Sequence, residues 1–319
     1  MKFKVVVTDY EYDTLQPERE VIERAGGELV AYQCKTEEEV IEACRDADGI
    51  LTQYSQITAS VIEEMERCKV IARYGIGYDS VDVRAATEKG ISVCNVTDYC
   101  LDEVADHTLA LLLSSARKVA EQNQQVKNGN WNFNWAKPIS RLQGKVLGLI
   151  GFGNIARTVA EKAKVFGLEI VTFDPFLTDE DAIRAGVTSV EWEELFQQAD
   201  FLSVHVPLNE QTRGLVGGAE FSFMKPSATL INTARGPIVD EEALVEALKN
   251  NAIAGAALDV LETEPISADH PMLEMDQVLL TPHIAWYSEE SEKELKTKAA
   301  QNVADVLQGK QATYVVNQV

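Results

Sequence analysis

The 319 residues are enough to bury the cores of two ordinary domains, and 51 Asp and Glu against 29 Lys and Arg leave a formal net charge of -22. Nucleic acid and anionic membrane surfaces would both repel such a chain, which excludes direct binding to either, though a small anion could still enter a locally basic cleft. No apolar run approaches membrane-spanning length and the amino terminus lacks a signal-peptide core, so a cytoplasmic protein is expected.

The first elements form a small parallel α/β set. Strand patterns run through Lys4–Thr8, Gly49–Thr52, Val70–Arg73 and Ile91–Val93, with helical segments between them. All five cysteines (Cys34, Cys44, Cys68, Cys94, Cys100) fall in this first third. Their odd number and the lack of a C-x-x-C spacing indicate reduced, structural thiols. Next comes Leu101 to Val126, a long helical pattern carrying Leu109, Leu111, Leu112 and Leu113. It is too apolar to face water on all sides. The expectation is a helix that links two domains and feeds a homodimer interface.

Lys145 to Asp174 is the most informative stretch. The apolar run Val146–Ile150 reads as a strand and Gly151-Phe152-Gly153-Asn154-Ile155-Ala156 as a turn into a helix. Leu168–Phe173 then reads as a second strand, ending in the carboxylate of Asp174. This order suits a dinucleotide. Gly151 permits the tight turn, Gly153 lets the backbone approach a pyrophosphate at the positive end of the helix, and small Ala156 lets helix and strand pack closely. Asp174 would accept hydrogen bonds from ribose hydroxyls, and its charge would repel a 2'-phosphate. No Arg or Lys follows in Pro175-Phe176-Leu177, so NAD is favoured over NADP.

Further strand patterns follow at Ala199–Val204, Ala228–Asn232, Gly255–Val260 and Val278–Thr281, and Ser288 to Leu307 reads as a helix returning the chain to the first domain. The fold expected is α/β, with two doubly wound parallel-sheet domains. A flavodoxin-like substrate domain would comprise residues 1–99 and 287–319, and a Rossmann domain residues 100–286. In such sheets ligands bind beyond the carboxyl ends of the strands.

Three side chains stand just past successive strand ends: Arg235, Glu264 and His283. Taken singly, each has a plain structural explanation, as a surface ion pair, a solvated loop acid or a buried histidine. Together they fit the reduction of a 2-oxo acid. That reaction needs a cation for the carboxylate and ketone, an acid for the developing alkoxide, and a hydride donor. Arg235, His283 and NADH fit these roles, with Glu264 supporting the imidazolium form and orienting the ring. The other three histidines, His107, His205 and His270, lie inside the long helix, at a strand end beside Pro207, and in a loop.

At Arg73-Tyr74-Gly75-Ile76-Gly77-Tyr78-Asp79, Gly151 to Ala156, Asn232 to Gly236, Asp259 to Pro265 and Thr281-Pro282-His283 the chain resembles the D-isomer-specific 2-hydroxyacid dehydrogenase family, along essentially its whole length. The resemblance implies a catalytic set of Arg235, Glu264 and His283, with a small anionic 2-oxo or 2-hydroxy acid as substrate. It implies cofactor contacts from Gly151, Phe152, Gly153, Asn154, Ile155 and Asp174, from Val206, Pro207 and Thr212 on the adenine and pyrophosphate side, and from Thr233, Ala234 and Asp259 facing the nicotinamide, beside Arg235 and His283. It also implies that the Gly75, Ile76 and Gly77 backbone binds the substrate carboxylate. Asn154 stands where many members carry Arg or Lys. After His283 the chain reads Ile284-Ala285-Trp286-Tyr287 where many relatives have a glycine pair, which is similar to the C-terminal-binding-protein branch of corepressors, as are Tyr54 and Arg73. That likeness implies Tyr54, Arg73 and Trp286 at the substrate, Arg73 as a second cation; Trp286 could equally pack at a domain interface. It also motivates an alternative, an NAD(H)-sensing binding protein with weak or no turnover. A formate-type dehydrogenase of the same fold would have Gln at position 264. No metal site is expected.

Overall fold

Val5, Val6 and Val7 are fully buried, as a strand covered on both faces requires, because parallel sheets take helices on each side. The computed structural model describes residues 2–319. The chain divides into two units, one taking in the chain as far as Cys100 together with Ser288–Val319, the other Leu101–Tyr287.

In the first unit β1 (Lys4–Val7), β2 (Glu28–Ala31), β3 (Gly49–Thr52), β4 (Val70–Arg73) and β5 (Ser92–Cys94) form a sheet in the order β2-β1-β3-β4-β5. Each pairing is parallel. The helix Glu289–Leu307 packs on this sheet so closely that a Cβ at Gly49 would lie 2.8 Å from Cγ1 of Val303. Asn302 Nδ2 donates to Asn95 O at 3.0 Å, and Asn317 Oδ1 accepts the Val93 N–H at 2.7 Å. These contacts tie the carboxyl-terminal segment to β5, so the unit is built from both ends of the chain. The strand β2 differs from the expectation of helical segments alone between the first two strands. It is a four-residue edge strand with Glu28 in the open, too short and polar to read as a buried run.

The second unit holds β6 (Val146–Ile150), β7 (Glu169–Phe173), β8 (Thr188–Ser189), β9 (Phe201–Val204), β10 (Thr229–Asn232), β11 (Gly255–Leu258) and β12 (Val278–Leu280), ordered β12-β11-β10-β9-β6-β7-β8 and parallel throughout. Alternation along the strands feeds two cores. Ile150, Leu202, Val204 and Leu230 face Leu195, Phe196 and Leu244 on one side. Leu147, Leu149 and Ile231 face Leu109, Leu112 and Val159 on the other. Each such aliphatic burial contributes about 1.5–3 kcal/mol. The order reverses between β6 and β9, which is the switch point where open α/β sheets bind ligands.

The helix expected over 101–126 is two helices. Leu101–Arg117 buries Val104, Ala105, Thr108, Leu109, Leu111 and Leu112, and Val119–Lys127 buries none of its residues. They break at Lys118, where φ is +53°, a conformation costing an L-residue roughly 1–2 kcal/mol. The apolar face that holds the first helix to the sheet ends at Ala116, so nothing compels the second to continue its axis. Among the described residues no helix is long and apolar enough to cross a membrane.

Candidate active site

The paired register Asn232↔Leu258↔Leu280 brings the ends of β10, β11 and β12 side by side. Arg235, Asp259 with Glu264, and His283 therefore emerge from neighbouring strands. Asn232 shapes the first turn, since its Oδ1 accepts the Ala234 N–H at 3.0 Å and its Nδ2 donates to Arg235 O at 2.9 Å. Arg235 Nη1 donates to Ala234 O at 2.8 Å. Gly236 is needed for what comes next, because any Cβ there would lie 1.9 Å from the Leu261 carbonyl. The backbone of Leu261–Glu262 thus lies directly on the Arg235 turn. Glu241 Oε2 secures it through the Glu262 N–H at 3.0 Å, and Glu241 Oε1 lies 3.0 Å from His270 Nε2.

Glu264 spends both oxygens. Oε1 accepts the Leu261 N–H at 2.9 Å, and Oε2 lies 2.7 Å from His283 Nδ1. Burial alone would raise its pKa; the His283 bond and charge, the Leu261 N–H and the Arg235 charge outweigh that and hold the carboxyl below its ordinary value. Glu264 is therefore ionised at neutral pH, and an ionised carboxylate only accepts, so the Nδ1 proton points at it. That leaves Nε2 as the ring nitrogen available to another molecule. His283 itself has φ +51°. Its turn wraps Asp259, whose backbone O accepts the His283 N–H at 2.8 Å. The Asp259 carboxylate accepts from Thr281 Oγ1 at 2.5 Å, Ile284 N at 3.0 Å and Ala285 N at 2.8 Å. Asp259, expected from resemblance to face a nicotinamide, has its side chain committed to this turn.

At the switch point Gly151 has φ +86°, and a Cβ there would meet Val206 Cγ1 at 2.7 Å and His205 O at 3.0 Å. Gly153 opens on empty space: a Cβ would meet nothing within 4 Å. The next residue starts the helix Asn154–Lys164, whose first N–H groups have no partner inside the helix. Phe152 and Ala156 are buried, Ile155 is half-buried and Asn154 exposed. Asp174 Oδ2 accepts the Phe152 N–H at 2.7 Å and Oδ1 the Phe176 N–H at 2.8 Å. The acid is thereby aimed at the mouth of the turn with lone pairs to spare. Room at Gly153, helix N–H groups and a fixed acceptor fit a dinucleotide. Thr212 Oγ1 donates to Pro207 O at 2.6 Å, which closes the loop after β9. Thr233 Oγ1 lies 2.9 Å from Thr108 Oγ1 and the next residue, Ala234, is half-buried.

Tyr54, Arg73, Gly75, Ile76 and Gly77 belong to the first unit, at and beyond the adjacent ends of β3 and β4. Gly75 has φ +139°, and a Cβ would lie 1.7 Å from Arg73 Nη1, so only glycine leaves room for the guanidinium against this loop. The Tyr54 loop hangs on Asp9, whose carboxylate accepts the N–H groups of Gln53, Tyr54 and Ser55 at 3.2, 2.7 and 3.1 Å. Burial works to raise the Asp9 carboxyl, but these N–H bonds hold it below its ordinary value. Trp286 is in the second unit, half-buried, its ring edge-on to Tyr287 at 5.5 Å. Sequence reading missed Asp9, Glu241 and the part taken by His107. Only strand-end position could have signalled Asp9, which stands two residues past β1. Among the described residues no group of His, Cys, Asp and Glu is arranged to hold a metal ion.

Residues 109–285 match the model of the D-isomer specific 2-hydroxyacid dehydrogenase NAD binding domain. The chain belongs to that family. It is similar to a D-3-phosphoglycerate dehydrogenase of Methanocaldococcus jannaschii, 41% identical over 98% of this chain, but spans only 59% of that protein's length. A glyoxylate reductase of Korarchaeum cryptofilum is 38% identical over 88% of this chain and 85% of its own. Among solved structures, a glyoxylate reductase from Paecilomyes thermophila superimposes with a TM-score of 0.90 at 27% identity, covering 99% of this chain and 98% of that one. The matched residues 109–285 lie within the unit Leu101–Tyr287.

Proposed function

We propose that this chain is an NAD-dependent oxidoreductase interconverting a small 2-oxo acid and the corresponding D-2-hydroxy acid, with Arg235, Glu264 and His283 as its catalytic residues. The 2.7 Å pair between His283 Nδ1 and Glu264 Oε2, beside Arg235 on the adjacent strand end, carries this reading. Arg235 binds the substrate carboxylate and draws electron density from the ketone. Glu264, ionised and fixed by Leu261, makes the doubly protonated imidazole favourable and sets its plane. The proton for the developing alkoxide leaves His283 Nε2; in the oxidative direction the same atom takes the hydroxyl proton. The nicotinamide, when bound, supplies or accepts the hydride. Gly151 to Ile155, Asp174, Val206, Pro207 and Thr212 would hold the dinucleotide, and Thr233, Ala234 and Asp259 would line its reactive end. Tyr54, Arg73, the Gly75–Gly77 backbone and Trp286 are proposed as substrate contacts.

The names of the relatives supply two substrates, 3-phosphoglycerate and glyoxylate, which share a carboxylate beside an oxygen-bearing carbon and differ in the rest of the molecule. The deciding experiment is a panel of 2-oxo acids, glyoxylate, hydroxypyruvate and phosphohydroxypyruvate included, with NADH and with NADPH. Turnover of at least one with NADH is expected; NADH binding without turnover of any would overturn the reading.

We propose further that the chain works as a homodimer through the 101–126 region and the segment after it. Trp131, Phe133 and Trp135 are 89%, 72% and 53% exposed, and residues 117–141 hold five Lys and Arg against one acid in an otherwise acidic chain. Aromatic side chains bury about 150–250 Å² each, so six from two partners would supply much of the roughly 1,200–2,000 Å² of a specific interface. Light scattering should give a dimer for the parent and a monomer for Trp131→Glu.

A further inference from the structure

His107 lies inside the helix Leu101–Arg117, and its ring reaches the turn that carries His283. Its Nε2 lies 2.9 Å from Thr281 Oγ1 and 3.5 Å from Asp259 Oδ1. A threonine hydroxyl has one proton, and Thr281 gives it to Asp259 Oδ1 at 2.5 Å. Thr281 Oγ1 can therefore only accept from His107, which fixes His107 as the Nε2–H donor. The next residue repeats the device. Thr108 Oγ1 gives its proton to Val104 O at 2.8 Å, so in the 2.9 Å contact with Thr233 it accepts. Thr233 stands two residues before Arg235. One turn of the helix Leu101–Arg117 thus grips both the His283 turn and the Arg235 turn.

The grip matters because of what Asp259 holds. Its backbone oxygen and carboxylate together take four bonds from the segment Thr281–Ala285, including the His283 N–H. His283 sits at φ +51°, which an L-residue keeps only where its surroundings fix it. The Thr281 hydroxyl is the outer member of that set, and without His107 its second contact is lost and it can rotate away from Asp259. We propose that His107 is a positioning residue: through Thr281 and Asp259 it sets the His283 turn, and so the alignment of the His283 ring with Glu264. This rests on the dehydrogenase reading for its kinetic consequence but not for its geometry.

A misplacement of about 1 Å in a catalytic group costs up to roughly 100-fold in rate. His107→Leu, which keeps the apolar bulk and removes the donor, should lower kcat by about 10- to 100-fold while KM and NADH affinity stay near the parent values. His107→Gln, whose amide N–H reaches toward the position of Nε2, should restore most of it. If His107 acts only through His283, His107→Leu introduced into the His283→Ala variant should lower kcat no further. An additive loss, or an unchanged kcat in the single variant, overturns the positioning role. A residue that merely packed the helix would lower the melting temperature and fail the double-variant comparison. If His107→Leu does not fold, Thr281→Val cuts the same link from the other end and is expected to behave alike.

A second readout needs no turnover. With four histidines in the chain, the ring resonances of His283 can be assigned by their loss in His283→Ala. They should shift in His107→Leu and return in His107→Gln. Resonances that stay put overturn the proposal. A parent protein that reduces no 2-oxo acid would instead sink the dehydrogenase reading and leave these shifts to decide the positioning.

Discussion

Replacing Glu264 by Gln separates charge from shape at the candidate site. The single amide oxygen of Gln can accept the His283 Nδ1 proton or the Leu261 N–H but not both, so the variant removes the negative charge that favours the imidazolium and turns an NH2 toward one of the two donors. A charge-assisted hydrogen bond contributes about 1.5–3 kcal/mol and a neutral one about 0.5–1.5 kcal/mol. The Glu264 side chain is 37% exposed, so solvent screens the pair and the lower end of the difference applies, about 1 kcal/mol. At 1.36 kcal/mol per tenfold, reduction should slow by roughly fivefold near neutrality. Reduction consumes one proton, so the loss is measured across pH. The assay is NADH oxidation by a saturating 2-oxo acid across a pH series, with NADH affinity measured in parallel as a control. Parent and variant profiles that superimpose would remove Glu264 from the mechanism and, with it, the reason for reading the 2.7 Å contact as catalytic.

His283→Ala should lower kcat by about 100- to 10,000-fold, the range for a lost general acid, with NADH affinity retained; parent-like turnover would refute the role of Nε2. Arg235→Ala should weaken substrate binding and turnover together, by roughly 10- to 150-fold in kcat/KM if the guanidinium makes charge-assisted bonds of about 1.5–3 kcal/mol. Asp174→Asn should narrow the preference for NADH over NADPH. Like charges about 4 Å apart cost about 1 kcal/mol per pair even in water, so a shift of at least roughly fivefold in the ratio of kcat/KM values is expected. His205 gives a pH dependence of stability. Burial pushes its imidazole down to about 4 from an ordinary 6.5, so the unfolded chain takes up a proton where the folded chain does not. Its contribution is fully present above pH 6.5 and is lost as pH falls toward 4; His205→Asn should flatten the fall in urea midpoint across that window, and an unaltered slope would refute the assignment.

The buried strands were legible because parallel strands covered on both faces leave nearly unbroken apolar runs, as at Lys4–Val7 and Val146–Ile150. Two of the four edge strands were not. Glu28–Ala31 and Thr188–Ser189 pair on one side only, and their exposed residues carry no such run. The break at Lys118 was hidden for a similar reason: the residues beyond it are good helix formers, and only the loss of a buried face ends the first helix. His107 was visible but mute, since its meaning depends on which strand ends the helix crosses.

Arg235, Glu264 and His283 could be read together because of how the sheet is wound. β10, β11 and β12 are consecutive in the chain and adjacent in the sheet, so each crossover returns the chain one strand further along, about 4.8 Å away. Residues some 20 to 30 positions apart in sequence then fall within two strand spacings, about 10 Å, provided each stands just beyond its strand. Strand ends can be recognised from local pattern, and the winding supplies the neighbourhood. The groups that hold the set in place obey no such rule: Gly236 works by lacking a side chain, Glu241 by reaching one loop from the next helix, and His107 by reaching across from a helix that comes before the whole sheet. Chemistry carried on consecutive strand ends is thus open to sequence reading, whereas the support behind it is a property of packing.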